Sequence, residues 1–251
     1  MWGAGVYFHD SYFKAPIFIG SDFTILILIV PLAIYTFWKA NQKQSVEYLI
    51  RSFSISSLLL YYSASLAFGV TYNNLHLVYI ALFSICFFSV GFMFAKLYAI
   101  GIRQTKVCSY HFTKGMKAFL LIGGISLFVA WLPDIITSIA KGTSLELIEV
   151  YTTEITYVLD MGIISPLIFL TYYLTKKKNF IGYVLLRMVF KVCIGVGVML
   201  PVQSLFQWLA GVSIPIPALI TKVSIFVILA VFAALFEYRL KHSTKYDDSI
   251  I

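Results

Sequence analysis

The stretch YVLLRMVFKVCIGV, residues 183–196, is apolar except for Arg187 and Lys191. Four residues apart, the two cations share one face of a helix. Three more ionisable residues lie in apolar surroundings: Asp22, Asp160 and Lys222. A charge at the centre of a bilayer costs roughly 2.5–3.5 kcal/mol on insertion scales, so such residues turn toward the protein interior and take partners. Asp22 and Lys222 are each about five residues from the end of an apolar run. There water or a headgroup reaches the carboxylate, and a lysine can snorkel outward.

Arg187 and Lys191 are deeper. Lys191 is roughly 15 Å from the nearer edge of its run, at 1.5 Å per helical residue. Snorkelling serves Arg187 but not both cations. Asp160, on the preceding run, is the expected counter-charge. Only a few residues around Lys176–Lys178 join the two runs, which makes them antiparallel neighbours, and their depths put Asp160 within about one to two turns of Lys191. A structural ion pair is the plain alternative to a binding site. Charge counting points further: Arg187, Lys191 and Lys222 face only Asp22 and Asp160. A bound anion or a deprotonation closes that gap.

The expected roles follow. Arg187 and Lys191 are anion contacts, and Asp160 is a counter-charge or proton acceptor. Tyr157, one turn before Asp160, lines the pocket with Lys222, and Asp22 is a further ligand-binding candidate. Tyr61, Tyr62, Asn73, Asn74 and Gln203 are polar neighbours, although tyrosine is also common at membrane interfaces. Chemistry that needs a cofactor or metal has no signature. GxGxxG, P-loop, HExxH and GxSxG patterns are absent, and His9, His76, His111 and His242 fall in tails or loops. Cys86, Cys108 and Cys193 have no metal-ligand or CxxC spacing. No cofactor is expected.

The elements that position these residues are membrane spans. The 251 residues are 60% hydrophobic and 12% charged, with mean hydropathy +0.89. Soluble domains average about 45–50% apolar and about 25% charged residues. Seven apolar runs, near 17–38, 52–71, 77–98, 118–138, 155–175, 181–201 and 217–238, are each long enough to cross about 30 Å of hydrocarbon. The expected fold is all-α, one bundle of seven transmembrane helices over residues 1–251. The net charge of +8 sits beside apolar runs and forms no basic domain, so nucleic acid is not an expected partner.

Orientation follows from lysine and arginine placement. One side carries Lys39, Lys43, Arg51, Lys96, Arg103, Lys106, Lys114, Lys117, Lys176 to Lys178, Arg239, Lys241 and Lys245; the other has only Lys14 and Lys141. This puts the N-terminus outside and the C-terminus in the cytoplasm. The opening MWGAGVYFHDSYFKAP lacks the pattern of a cleavable signal and reads as a short translocated tail. Residues 139–154 form an acidic outer loop with Glu146, Glu149 and Glu154. Gly195 and Gly197 permit close helix approach. Pro166 and Pro201 are candidate kinks.

Two resemblances bear on function. A span-seven lysine in ALITKVSIF resembles microbial rhodopsins, which would make Lys222 the Schiff-base lysine for retinal. Ala218 stands where that family carries an aspartate, span three has no carboxylate, and span six has no central Trp. GVTYNNLHLVYIALFS, YVLDMGIISP and KKNFIGYVLL are similar to a broad set of uncharacterised bacterial multi-spanning membrane proteins. That similarity implies a plasma-membrane location and assigns no site residues.

The leading expectation is a polytopic membrane protein binding or transporting a small anion or anionic lipid, with membrane lipids as its other partners. An integral-membrane enzyme acting on lipid or cell-envelope substrates is the rival. It would use Asp160 or Glu154 as acid/base and Lys191 to stabilise charge. A structural or signalling protein without a small-molecule site is the third reading.

Overall fold

The computed structural model describes residues 5–103, 110–145, 148–213 and 216–243, with side chains for all of these but 103, 216–222 and 243. The described residues are helical, with no strand among them. Seven rods follow one another: α1 (Ala15–Lys43), α2 (Val46–Gly69), α3 (His76–Arg103), α4 (Lys114–Lys141), α5 (Ile155–Lys176), α6 (Phe180–Leu209) and α7 (Ile216–Ser243). Among the described residues, all of these but α2 contain stretches long and apolar enough to cross a membrane, six in total. The chain is therefore a polytopic membrane protein.

The helix boundaries follow local chemistry. Ser45 caps α2 by accepting from the Tyr48 N–H, Thr113 caps α4 through Met116, and Asn179 caps α6 through Ile181. Gly142 closes α4 at φ 64°, a left-handed turn that glycine adopts without a Cβ penalty. Two prolines explain two irregularities. Pro31 follows a widened π segment at Ile25–Ile29 in α1, and Pro166 follows another at Asp160–Ile164 in α5. Proline lacks an N–H and crowds the carbonyl four residues earlier, so a local widening lets each helix continue. Pro201 and Pro133 instead sit inside continuous α-helices.

α6 is the hub. It packs against α1, α2, α3, α5 and α7, and it is buried along most of its length, from Phe180 through Phe190 without a break. A helix that is apolar all round belongs in such a position. Glycine brings its neighbours in, as expected from CIGVG. A Cβ on Gly197 would lie 2.2 Å from that of Ala230 in α7, and one on Gly195 would meet Leu58 in α2 at 2.5 Å. Gly20 likewise sets α1 against the backbone of Gln203, where a Cβ would come to 2.7 Å.

α3 and α4 are the outer helices, with Leu77, Ile85, Phe88, Phe92 and Ile122, Val129, Ile139 exposed. In a bilayer these faces meet lipid. The buried side chains form two cores along α6. One surrounds Tyr183, Leu186 and Phe190 with Ile50, Leu97, Met116 and Ala233; the other joins Tyr7, Phe18, Leu58, Tyr62 and Met199.

Candidate functional site

Each core encloses a polar centre. In the first, Arg187 projects from α6 and is fully buried, its side chain 1% exposed. Its guanidinium takes Glu47 of α2 in a forked pair, Nη1 on Oε2 and Nη2 on Oε1. Its Nε and Nη2 also donate to Glu237 Oε1 of α7, at 2.9 and 2.5 Å. Lys191 Nζ lies 2.6 Å from that same oxygen and is 21% exposed. Tyr183, one turn before Arg187, adds a contact at 3.3 Å, and Arg51 pairs with Glu47 at 2.8 Å. A planar fork suits this arrangement, because one arginine can hold two carboxylates from different helices. Glu237 Oε2 is buried and has no hydrogen-bond partner among the described residues.

This geometry corrects two expectations. Lys191 pairs with Glu237 rather than with Asp160. The count of charges also changes, since Glu47 and Glu237 join Arg187 and Lys191 in the buried cluster, with Arg51 paired to Glu47 at its edge. Both buried cations therefore have carboxylate partners of the protein's own. The side chain of Lys222, and with it the retinal reading, lies outside the described residues, as do Glu146 and Cys108.

Asp160 begins the π segment of α5 and faces α2 and α4 instead. It accepts from Tyr61 Oη at 2.9 Å and from Trp131 Nε1 at 3.0 Å. Tyr157 stacks on Trp131, with centroids 4.7 Å apart, and donates to Asp134 at 2.8 Å. These contacts bind α5 to its neighbours, and they separate Asp160 and Tyr157 from Arg187's partners.

The second polar centre is built on Asp22. Tyr62, the residue after Tyr61 on α2, turns the other way and donates to Asp22 Oδ1 at 2.5 Å; Tyr7 donates to Oδ2 at 2.7 Å. Two consecutive tyrosines on α2 thus each hold a carboxylate on a different π-widened helix. Gln203 of α6 donates to Ser21 beside Asp22, at 2.7 Å. Of the polar neighbours expected from sequence, Tyr61, Tyr62 and Gln203 therefore meet α1 or α5, and none of them contacts Arg187 through a hydrogen bond described here.

The tail before α1 straps this end of the bundle. Besides Tyr7, Asp10 accepts from the Thr71 N–H at 2.9 Å and from Tyr151 at 3.0 Å. Tyr12 donates to the Ala210 carbonyl at 2.6 Å, and Gln207 reaches the Phe13 carbonyl at 3.1 Å. Lys14 pairs with Glu154 and lies 4.2 Å above the Tyr151 ring. Burial, reinforced by Asp22, pushes the Tyr7 hydroxyl above the usual tyrosine range, and burial raises Tyr151 as well. Both hydroxyls therefore stay protonated and remain donors.

Glu47 and Glu237 are the members of the Arg187 cluster that sequence reasoning missed. A signal was present: both glutamates lie within two turns of a span end, on the side where Arg187 also enters. No group of three or more His, Cys, Asp or Glu among the described residues could hold a metal ion. No family model matches the chain, and no curated protein or solved structure matches it either.

Proposed function

We propose that the chain is a seven-span plasma-membrane protein that binds or transports a small anion or anionic lipid headgroup at Arg187 and Lys191. One observation carries this reading: a single carboxylate oxygen, Glu237 Oε1, receives Arg187 Nε, Arg187 Nη2 and Lys191 Nζ. Three N–H donors of two cations converging on one point form an anion seat, with the protein's own carboxylate in it. Intramembrane charge is expensive and tends to mark a ligand or ion path. Lys191, the more exposed of the two cations, is where an incoming anion makes first contact.

α2 is the seventh span in this reading. Its 24 residues extend about 36 Å at 1.5 Å per residue. Its serines lower its hydropathy, and Ser54 and Ser57 satisfy their hydroxyls by donating back to the carbonyls of Ile50 and Phe53, at 2.7 and 2.8 Å. The basic excess puts the Arg187 end of the bundle at the cytoplasmic face and the N-terminal strap outside. Leu145→Cys should then react with an impermeant thiol reagent added to intact cells, and Lys177→Cys should be protected. The reverse labelling pattern would invert this orientation.

The anion site is tested by thermal stability of the purified protein. An anion that binds only the folded state should stabilise it by about 2.7 kcal/mol at a hundredfold excess over its dissociation constant. Phosphate, small carboxylates and anionic lipids are the probes. Stabilisation should vanish in Lys191→Gln; a shift that survives there, or no shift with any anion, removes the proposal.

A further inference from the structure

Two stretches of the chain carry one pattern. IVPLAIYTFW, residues 29–38 of α1, and ISPLIFLTYY, residues 164–173 of α5, match at Ile, Pro, Leu and Thr, and two aromatic residues follow each threonine. Both threonines are buried. A π segment starts six residues before each proline and is closed by the same bond. The Val30 N–H donates to the Ile25 carbonyl, and the Ser165 N–H donates to the Asp160 carbonyl. Proline alone does not impose this, because Pro133 and Pro201 sit in unbroken α-helices.

We infer that the chain is one three-helix unit present twice, as α1–α3 and α5–α7, and that it carries its anion across the membrane by rocking these two units against each other. The carrier step rests on the anion-site reading of the preceding subsection and deepens it.

Equivalent positions make equivalent contacts. Gly20, eleven residues before Pro31, sets α1 on Gln203 of α6; Ile155, eleven before Pro166, sets α5 on Gly69 of α2, where a Cβ would come to 2.2 Å. Gln203 and Gly69 each stand 24 residues after the cap of their helix, Asn179 and Ser45. Gly197 and Ser63, both 18 residues after those caps, match as well. Gly197 meets Ala230 and the Phe226 carbonyl in α7, and Ser63 meets Cys86 in α3. Phe226 and Cys86 each lie ten residues past the first residue of a 28-residue helix. Since α1 lies on α6 as α5 lies on α2, a half-turn about the α2–α6 contact exchanges the units. Lys14 and Glu154 pair just before α1 and α5, so both helices start at the same end of the bundle. Three spans leave the chain on the far side, and α4 is the extra span that returns it to start the second unit in the same orientation.

Repeats related by an axis along the membrane normal place a carrier site at their interface and open it to each side in turn. Here the interface is fastened at both ends. At the end assigned to the cytoplasm, Arg187 of the second unit holds Glu47 of the first. At the other end, Lys14 and Tyr12 before α1 hold Glu154 and the Ala210 carbonyl beside α5 and α6. Between them Gly195 lies on Leu58, a close contact with little bulk to interlock. Opening to one side breaks one fastening and keeps the other. An anion drawn to Arg187 competes with the carboxylates that hold it, which couples occupancy of the seat to release of the inner fastening.

The experiment uses the full chain in liposomes, with labelled phosphate and labelled succinate as probes. Uptake of the anion that stabilises the purified protein should be accelerated when the same unlabelled anion fills the liposomes, as exchange by a carrier requires. In Lys14→Cys combined with Glu154→Cys, a short reducible bis-methanethiosulfonate cross-linker should stop uptake, and a reductant should restore it. Thermal stabilisation by the anion should persist while the link is in place, and the cross-linker should leave wild-type uptake unchanged. Pro31→Ala and Pro166→Ala, at equivalent positions, should slow exchange alike, whereas Pro201→Ala should not. If a variant does not fold, exchange by wild type decides. Stabilisation without uptake, uptake indifferent to internal anion or to the cross-link, or an effect at one π-linked proline alone overturns the inference and leaves the anion site standing. Neither stabilisation nor uptake with either probe removes the site and this inference with it.

Discussion

Arg187→Met is expected to destabilise the protein more than any other single substitution at its polar centres, by about 3–5 kcal/mol in detergent. The arginine side chain is 1% exposed and joins α6 to both α2 and α7. Its removal strands two carboxylates; among the described residues Glu237 then keeps Lys191 alone and Glu47 keeps the more exposed Arg51. The cost comes from the stranded charges rather than from the lost attraction, because forming a buried ion pair roughly offsets its own desolvation. A compensated variant separates the two effects. Arg187→Met combined with Glu47→Gln leaves Lys191 and Glu237 as a balanced pair and should recover much of the loss. Arg187→Lys should fall between, since a compact ammonium cannot span two carboxylates on different helices as a planar fork does. Thermal unfolding followed in parallel with size-exclusion behaviour checks all three variants. A loss below about 1 kcal/mol for Arg187→Met, or no recovery in the double variant, would mean that the charges do not fasten the helices.

The same cluster marks the boundary of what was legible in the sequence. Apolar run length and composition sufficed for the helical class and for six spanning helices, because a bilayer imposes both directly. The inward position of Arg187 was legible for the same reason. Its partners were not. Helix α2 begins at Val46, well before the apolar run expected from residue 52, and α7 extends to Ser243 rather than 238. Glu47 therefore sits in the first turn of α2, whereas Glu237 lay at the very end of its expected run, where the solvated edge of a span was the natural reading. Depth counting also follows Cα positions, whereas an arginine reaches a turn or more along the bundle from its own backbone.

The expected Asp160–Lys191 pair failed for a related reason. Depth on antiparallel helices says nothing about rotation around each axis. Asp160 opens a π segment, and a π turn re-aims the residues that flank it. It meets Tyr61 and Trp131, while Lys191 faces α7. The close approach at Gly195 and Gly197 was readable because small residues act through absence of bulk, which needs no rotamer or register to be known.

The second large effect is expected at the strapped end. Asp22 accepts from two tyrosine hydroxyls that reach it from opposite sides in the chain, Tyr7 before α1 and Tyr62 within α2. No ion pair to Asp22 is present among the described residues, so these two donors carry its solvation. A hydrogen bond to a charged group contributes about 1.5–3 kcal/mol. Tyr7→Phe with Tyr62→Phe should therefore cost about 3–5 kcal/mol, and each single change about half of that. The double variant leaves a carboxylate in an apolar core, so Asp22→Asn should relieve part of its loss, whereas Asp22→Asn alone in wild type should be destabilising. This reversal of sign separates a solvated carboxylate from simple packing, because packing at Tyr7 and Tyr62 is nearly unchanged by loss of a hydroxyl. Thermal melts of the wild type and the variants measure it. Losing Tyr7 should also free the strap, so cleavage before Ala15 by an added protease should accelerate in Tyr7→Phe and more so in the double variant. If Asp22→Asn worsens the double variant as much as it does wild type, the tyrosines are not solvating a charge, and the strap is held by Asp10, Tyr12 and Lys14 instead.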